Sequence, residues 1–289
     1  MSIYISIKGS NSCSFKSSKR MSENISFIGE ITKDLCNKFG FILNGISADE
    51  VKVALKLKNN QWNLNDYVTN QRGSMLQSFV KDVGDQIVFG GKEIGRYEFR
   101  PNITRRIEKI NIKDDCAIIA KDSILVQNIV AHVMNPTPHI IIIASPSKAL
   151  SSSPEYIILD TVNQLKNKSK FSTCFIIAIL NSSLISWYVY RFIFANAIRT
   201  MHFDSPVTSR IPFPNLDITT PLDKSRHDGL VALVDQMLDT KKRLADARSE
   251  SERTQLERKC TYLDHEIDKR VYELYDLTEE EIGIVEGNV

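Results

Sequence analysis

A mixed α/β body followed by a C-terminal antiparallel helical hairpin is the fold that three features of the sequence predict. Short Val- and Ile-rich runs, "DQIVFGG", "CAIIAKDSILVQNIVAHVM" and "HIIIIAS", fill the middle of the chain and are bounded by Gly, Pro, Asn and Asp, the pattern of strands. One stretch, Ser172 to Ala197, is apolar over most of its length and long enough for a buried helix. Beyond "SRIPFPNLD", where Pro212 and Pro214 remove donors and disfavour helix before them, apolar residues recur at helical spacing nearly to the end. The expected organisation is a flexible segment over residues 1–20, a body over 21–216 and a hairpin over 219–289.

The elements follow in order. The first twenty residues, rich in Ser, Lys and Asn, form a short edge strand ("IYISI") or a loose tail. From Asn24 to Lys58 the apolar residues take helical spacing with a break at Phe39 to Ile46, and Ser47 with Glu50 is a capping box opening a second short helix. "HIIIIAS" is too short and too β-branched for a helix and is expected as a central strand covered on both faces. In the long apolar stretch, Asn181 to Ser183 marks a break, and the aromatics Trp187, Tyr188, Tyr190, Phe192 and Phe194 are expected in the core. Leu230, Leu233, Val234, Met237, Leu238 and Leu244 share one stripe of the first hairpin helix. Leu256, Tyr262 or Leu263, Ile267, Val271 and Leu274 share one stripe of the second, with "DARSESERT" as the turn. Thr278 and Glu281 form a capping box for a last short helix.

Of the 289 residues 42% are hydrophobic and 25% charged, ordinary for a globular protein. No apolar run reaches the roughly 18 residues that span a bilayer, and the start lacks the apolar centre of a secretory signal. No membrane association and a cytoplasmic location are the expectation. The five cysteines are scattered without a C-x-x-C pair and are expected as free thiols. The net charge of +2 conceals an asymmetry: residues 1–220 carry 26 Lys/Arg against 18 Asp/Glu, and residues 221–289 carry 11 against 17. A basic body with an acidic appendage suggests that one part meets a polyanion.

Motifs for catalysis are missing. Gly90, Gly91 and Gly95 do not form a phosphate loop, because Lys92 is followed by Glu93 where a hydroxyl is required. Neither G-x-G-x-x-G nor G-x-S-x-G occurs. "NPTPH", Asn135 to His139, is a broken form of the N-P-P-Y that holds a flipped base: a Thr separates the prolines and His139 replaces the aromatic. It is read as a loop between strands. The E-x-K at Glu257 to Lys259 falls on a charged helical face, and the five histidines have no metal-ligand spacing. No catalytic residue, metal site or cofactor is expected in the chain.

Polyanion binding has a better basis. Lys92, Arg96, Arg100, Arg105, Arg106, Lys109 and Lys113 are interleaved with Tyr97, Phe99, Asn102 and Asn111. Arginine can fork onto guanine and Asn or Gln onto adenine, while lysine holds phosphates. A second set, Arg191, Arg199, Thr200, His202, Thr208, Ser209 and Arg210, lies where the apolar helix ends. Both sets also admit plain solvation of a surface.

Taken in order, "GKEIGRYEF", "SILVQNIVAHV", "FIIAILNSSLISWYVYRF", "AIRTMHF", "RIPFP" and "LDHEIDKRVYELYDLTEEEIGIVE" resemble the TaqI-like C-terminal specificity domain, over about Gly90 to Glu286. This is the target-recognition part of single-chain type II restriction-modification enzymes and adenine-specific DNA methyltransferases. The resemblance implies an α/β target-recognition domain that grips double-stranded DNA and reads a short sequence, followed by helices acting as spacer and docking surface. It brings Lys92, Arg96 and Tyr97 onto the start of the recognition region, Gln127 to His132 onto its strand-like segment, and Arg199 to His202 onto its loop after the aromatic helix. With the residue types above, the DNA-binding candidates are Lys92, Arg96, Tyr97, Arg100, Arg105, Arg106, Gln127, Asn128, His132, Arg199, Thr200, His202 and Arg210. Full members also carry a methyltransferase and often a nuclease, for which residues 1 to about 85 are too short. The chain is therefore expected to be a specificity module, as a separate subunit or a fragment, that serves a methyltransferase or endonuclease partner. The alternative is an interaction module with a recognition-like fold that no longer binds DNA, docking or forming a homodimer through its C-terminal helices.

Overall fold

Two antiparallel strands, β1 (Ser14–Met21) and β2 (Asn24–Thr32), open the computed structural model as a ribbon whose register shifts between Ser17 and Ser18. The structure describes residues 14–21, 24–43, 45–59, 62–134, 138–150, 155–197 and 200–287. Residues 14–21 are thus strand, the "IYISI" stretch lies outside the described residues, and Asn24 to Thr32 is strand despite its helical spacing. Pairing with β1 makes it so, and Ser17 fastens the ribbon: its buried Oγ accepts from Gly45 N (3.0 Å) and donates to Ile46 O (3.4 Å), long-range contacts that apolar spacing does not reveal. The helix begins only at α1 (Lys33–Phe39), capped by Thr32 and ended by Gly40 in the left-handed conformation. The expected capping box opens α2 (Ala48–Lys58): Ser47 Oγ accepts from Glu50 N (3.1 Å) and the Glu50 carboxylate from Ser47 N (2.7 Å).

The body is built on two sheets. After β3 (Trp62–Asn63) and the single turn α3 (Leu64–Tyr67) come β4 (Val68–Arg72), β5 (Gln86–Phe89), β6 (Ile94–Gly95), β7 (Glu98–Phe99), β8 (Arg106–Ile107), β9 (Ser123–Gln127), β10 (Ala131–Val133), β11 (His139–Ile141), β12 (Ala144–Pro146), β13 (Tyr156–Ile158) and β14 (Val162–Asn167). One sheet is antiparallel in the order β12-β9-β14-β4, and the other runs β13-β5-β8 with β13 parallel to β5. "HIIIIAS" is divided between the four-stranded sheet and a small hairpin: among the described residues β11 pairs with β10 alone, and the chain then turns so that Ala144 to Pro146 joins β9. The expected central strand is therefore two edge pieces. "NPTPH" connects β10 to β11, and its residues 135–137 lie outside the described residues.

All eight residues of α4 (Thr173–Leu180) are buried, so the helix has no polar face to give to solvent. The sheet covers one side, through β9 and β12. Asn181 and Ser182 break the run as expected, and α5 (Ser183–Tyr188) follows, continuing into a wider turn over Val189–Ile193. Trp187, Tyr188, Tyr190, Phe192 and Phe194 are all in the core. No helix among the described residues is long and apolar enough to cross a membrane singly. A short α6 (Ser205–Thr208) and β15 (Pro212–Phe213), which pairs with β3, end the body.

The other side of α4 is covered by α7 (Pro221–Asp246) and α8 (Glu250–Leu274), an antiparallel pair joined by Ala247 to Ser249. Leu230, Val234 and Met237 on α7, with Leu256, Cys260, Leu263, Ile267 and Val271 on α8, are buried, and most of them join one apolar cluster with the body. Leu263 is the inward residue, at 1% exposed, whereas Tyr262 is 62% exposed. The Thr278 capping box opens α9 (Glu279–Glu286), which returns to α2 through Lys56 to Glu281 at 2.7 Å. Leu263→Ala is expected to cost about 2–5 kcal/mol, and Tyr262→Ala no more than about 0.5 kcal/mol, in urea denaturation of the whole chain.

Candidate nucleic-acid interface

Several turns of the body meet at one end of the four-stranded sheet, where β9 and β4 finish and β14 begins, and short polar bonds fix them there. Gly91 N donates to Thr161 Oγ1 (3.1 Å), which ties the turn after β5 to the turn between β13 and β14. Asn128, just beyond β9, is wholly buried: its N donates to Thr161 O (3.0 Å) and its Nδ2 to Asp160 O (3.1 Å). Its main-chain O and its Oδ1 both accept from Phe203 N, at 2.8 and 3.1 Å. Asn70 and Asn163 add amide donors to Phe203 O at 3.0 and 2.8 Å. Three asparagines from adjacent strands thereby hold the segment leading into α6. At the same end Gly73 passes so close to the backbone of Leu159 that a Cβ would lie 2.3 Å from its carbonyl oxygen, which only glycine permits.

Around this scaffold lie Lys92, Arg72, Thr200 and His202, all exposed, together with Ile129, which is 46% exposed and bridges to His202. Arg100 lies beyond β7, exposed and ion-paired with Glu98. Arg72 does not stand out in the sequence, where it is a lone arginine ending a polar strand; its Nε donates to Asp160 O (2.7 Å), which sets it beside the other turns. Ile129 carries no signal either, since apolar residues on strands are ordinarily core.

Most of the other candidates are turned into the protein. Arg96 grips Asp264 of α8 with two bonds of 2.8 Å and donates a third to Asn181 O at 2.7 Å. Tyr97 is 2% exposed, with φ of +60°, and its N donates to Ala144 O (3.1 Å). Burial drives its phenol well above the usual range. Arg96 and Tyr97, expected at an exposed DNA surface, instead form a packed junction between the β6–β7 turn, the end of α4 and the hairpin. Arg105 pairs with the buried Glu93 (2.8 Å), which also accepts from Gly90 N (2.7 Å). Arg106 donates to the carbonyls of Gly84 (3.2 Å) and Ile103 (3.0 Å), and Arg210 to those of Phe39 (3.2 Å) and Phe192 (3.0 Å). Gln127 donates to Ile94 O (2.8 Å), and His132, half-buried, stands edge-on to Tyr190. Most of these partners are distant in the chain, so a basic stretch read along the sequence looks like a surface. Arg199 lies outside the described residues. Among the described residues no three His, Cys, Asp or Glu side chains come together as a metal site.

Asp268, one turn beyond Asp264, accepts from Ser183 N (2.8 Å) and Ser183 Oγ (2.6 Å) at the start of α5. Burial raises its pKa, opposed by the Ser183 bonds and reinforced by the Asp264 charge, with Arg96 lowering it.

Residues 86–213 match the family model of the TaqI-like C-terminal specificity domain. No curated protein matches the chain. Among solved structures, a chain from a structure of the complex assembly and conformational transition of the type I R-M system superposes with a TM-score of 0.37 at 10% identity. The alignment covers 84% of this chain and 54% of that one, so this chain spans about half the length of its structural neighbour.

Arg96→Met is expected to cost about 1–3 kcal/mol in urea denaturation, because Asp264 then faces the body without its cation. Asp268, whose pKa is raised on folding, contributes stability that is complete at low pH and lost as pH rises through its folded-state pKa. The stability of wild type relative to Asp268→Asn should therefore fall as pH is raised from about 4 toward neutral, and a difference that grows instead would refute the assignment.

Proposed function

We propose that the chain is a sequence-specific duplex-DNA recognition module of a restriction-modification system, directing a separate methyltransferase or endonuclease. The observation that carries this is the match of residues 86–213 to a specificity-domain family. The matched segment contains most of the turns that meet at this end of the sheet, from Lys92 through Asn128 and Thr161 to His202. In this mechanism Lys92, Arg72 and Arg100 take phosphates and displace counterions, while Thr200, His202 and Ile129 approach base edges and thymine methyl groups. Rigid fastening by Asn70, Asn128 and Asn163 serves readout, since a base contact discriminates only if the side chain cannot shift to suit another base. Any bond-making chemistry belongs to the partner chain.

A second reading rests on a specific observation: Arg96, Arg105, Arg106 and Arg210 are spent on internal partners. A recognition-like fold with so few uncommitted arginines suits a protein-docking role, with the acidic hairpin as the contact.

The two are separated by fluorescence anisotropy with duplex DNA over a salt series. Recognition predicts a steep linear fall of log affinity with log salt, and Lys92→Ala and Arg100→Ala should each flatten the slope by about 0.9. His202→Ala should instead lower affinity for the cognate site alone. Affinity that is flat from low to high salt would sink the recognition reading and favour docking.

A further inference from the structure

Two short helices outside the family-matched segment end on lysines that meet an arginine from inside it. Lys38 lies in the last turn of α1 and Lys58 closes α2, while Arg210 follows α6. The three converge on Phe39 and Phe41. Lys58 Nζ stands 5.6 Å from the centre of the Phe39 ring. Arg210 Nη2 donates to Phe39 O at 3.2 Å, and its guanidinium stands 5.8 Å from the centre of the Phe41 ring. Lys38 directly precedes Phe39 and is exposed. Burial, and then the charges of Arg210 and Lys38, hold the Lys58 ammonium below its ordinary range.

A cation at the end of a helix ordinarily answers the partial negative charge of the last carbonyls, which accounts for each lysine singly. It does not account for a third cation brought to the same spot from 171 residues along the chain. Among the described residues none of the three is paired with a carboxylate, and Asp34, one turn before Lys38 on α1, forms no ion pair with it. Arg210 is anchored but not used up. Both of its bonds, to Phe39 O and to Phe192 O at 3.0 Å, leave from Nη2, so the donors of Nε and Nη1 have no protein partner among the described residues. Carbonyls and aromatic rings thus hold three like charges together where a carboxylate would ordinarily stand. An anion of more than one charge with several oxygens answers that arrangement: a guanidinium forks onto phosphate, and ammonium groups serve it as point charges.

We propose that Lys38, Lys58 and Arg210 form a phosphate-binding site in addition to the candidate interface, with Arg210 fixing the phosphate and the two lysines neutralising it. The phosphate is either a backbone phosphodiester of DNA, which rests on the recognition role proposed above, or that of a free polyphosphate. The test uses the whole chain with inorganic pyrophosphate as the probe, in thermal denaturation at constant ionic strength with chloride as the balancing anion. A ligand at about ten times its Kd raises Tm by about 3 °C in a chain of this size, and wild type is expected to show that rise. Lys38→Gln/Lys58→Met keeps an apolar stem over Phe39. It is expected to melt no lower than wild type without pyrophosphate, since repulsion is relieved, and to lose the rise. Lys38→Glu, at an exposed position, should lose it as well and carries the test if Lys58→Met disturbs the packing. Lys242→Ala, which removes an exposed lysine of α7, should keep it. A second arm measures duplex-DNA affinity over a salt series. A log–log slope flattened by about 0.9 for each phosphate no longer neutralised in the double variant identifies the phosphate as that of DNA. An unchanged slope with the pyrophosphate response lost identifies a free polyphosphate. If wild type binds no DNA but responds to pyrophosphate, the recognition role fails and the site stands. Variants that match wild type in both arms, or a Lys242→Ala protein that loses the response as fully as the double variant, would overturn the site.

Discussion

A helix without a polar face has to be covered on every side, and α4 imposes that condition on the whole molecule. Its eight buried residues need the four-stranded sheet on one flank and the α7–α8 pair on the other. Three layers result, with the middle one almost wholly apolar. Directional bonds then fix the outer layer: Arg96 to Asp264, Ser183 to Asp268, Lys148 to Asp235 at 2.7 Å and Tyr275 Oη to Pro212 O at 2.9 Å. Apolar burial supplies the bulk of the driving force, and these polar contacts choose one orientation among the many that burial alone would tolerate.

Local signals in the sequence reappear in the structure. Ser47 with Glu50 and Thr278 with Glu281 are capping boxes because each involves partners three residues apart. Asn181 and Ser182 break the apolar stretch for the same reason, since Ser182 caps the next helix. The hairpin helices are legible from their stripes, although Leu263 rather than Tyr262 faces inward. Where distant partners decide, the pattern misleads. Asn24 to Thr32 has helical spacing yet pairs with β1, and "HIIIIAS" divides because its second half is claimed by β9.

The candidate interface shows the same division. Lys92, Thr200 and His202 are exposed, whereas Arg96, Arg105, Arg106 and Arg210 are held by carboxylates and carbonyls, most of them from other elements. A guanidinium with five donors serves equally well to grip a phosphate or to satisfy orphan backbone carbonyls. Nothing adjacent in sequence distinguishes the two uses. Arg72 and Ile129 escape notice for the opposite reason: each is an ordinary residue made prominent by where its strand ends.

The layer order also bears on how such a chain could be recombined. The segment 214–220, with its proline and polar residues, looks like a natural cutting point between body and helices. Cutting there would strip the cover from α4 and expose an apolar slab on each half. Exchange of one body for another would therefore succeed only when the helices travel with it, so that the inherited unit is larger than the matched segment 86–213.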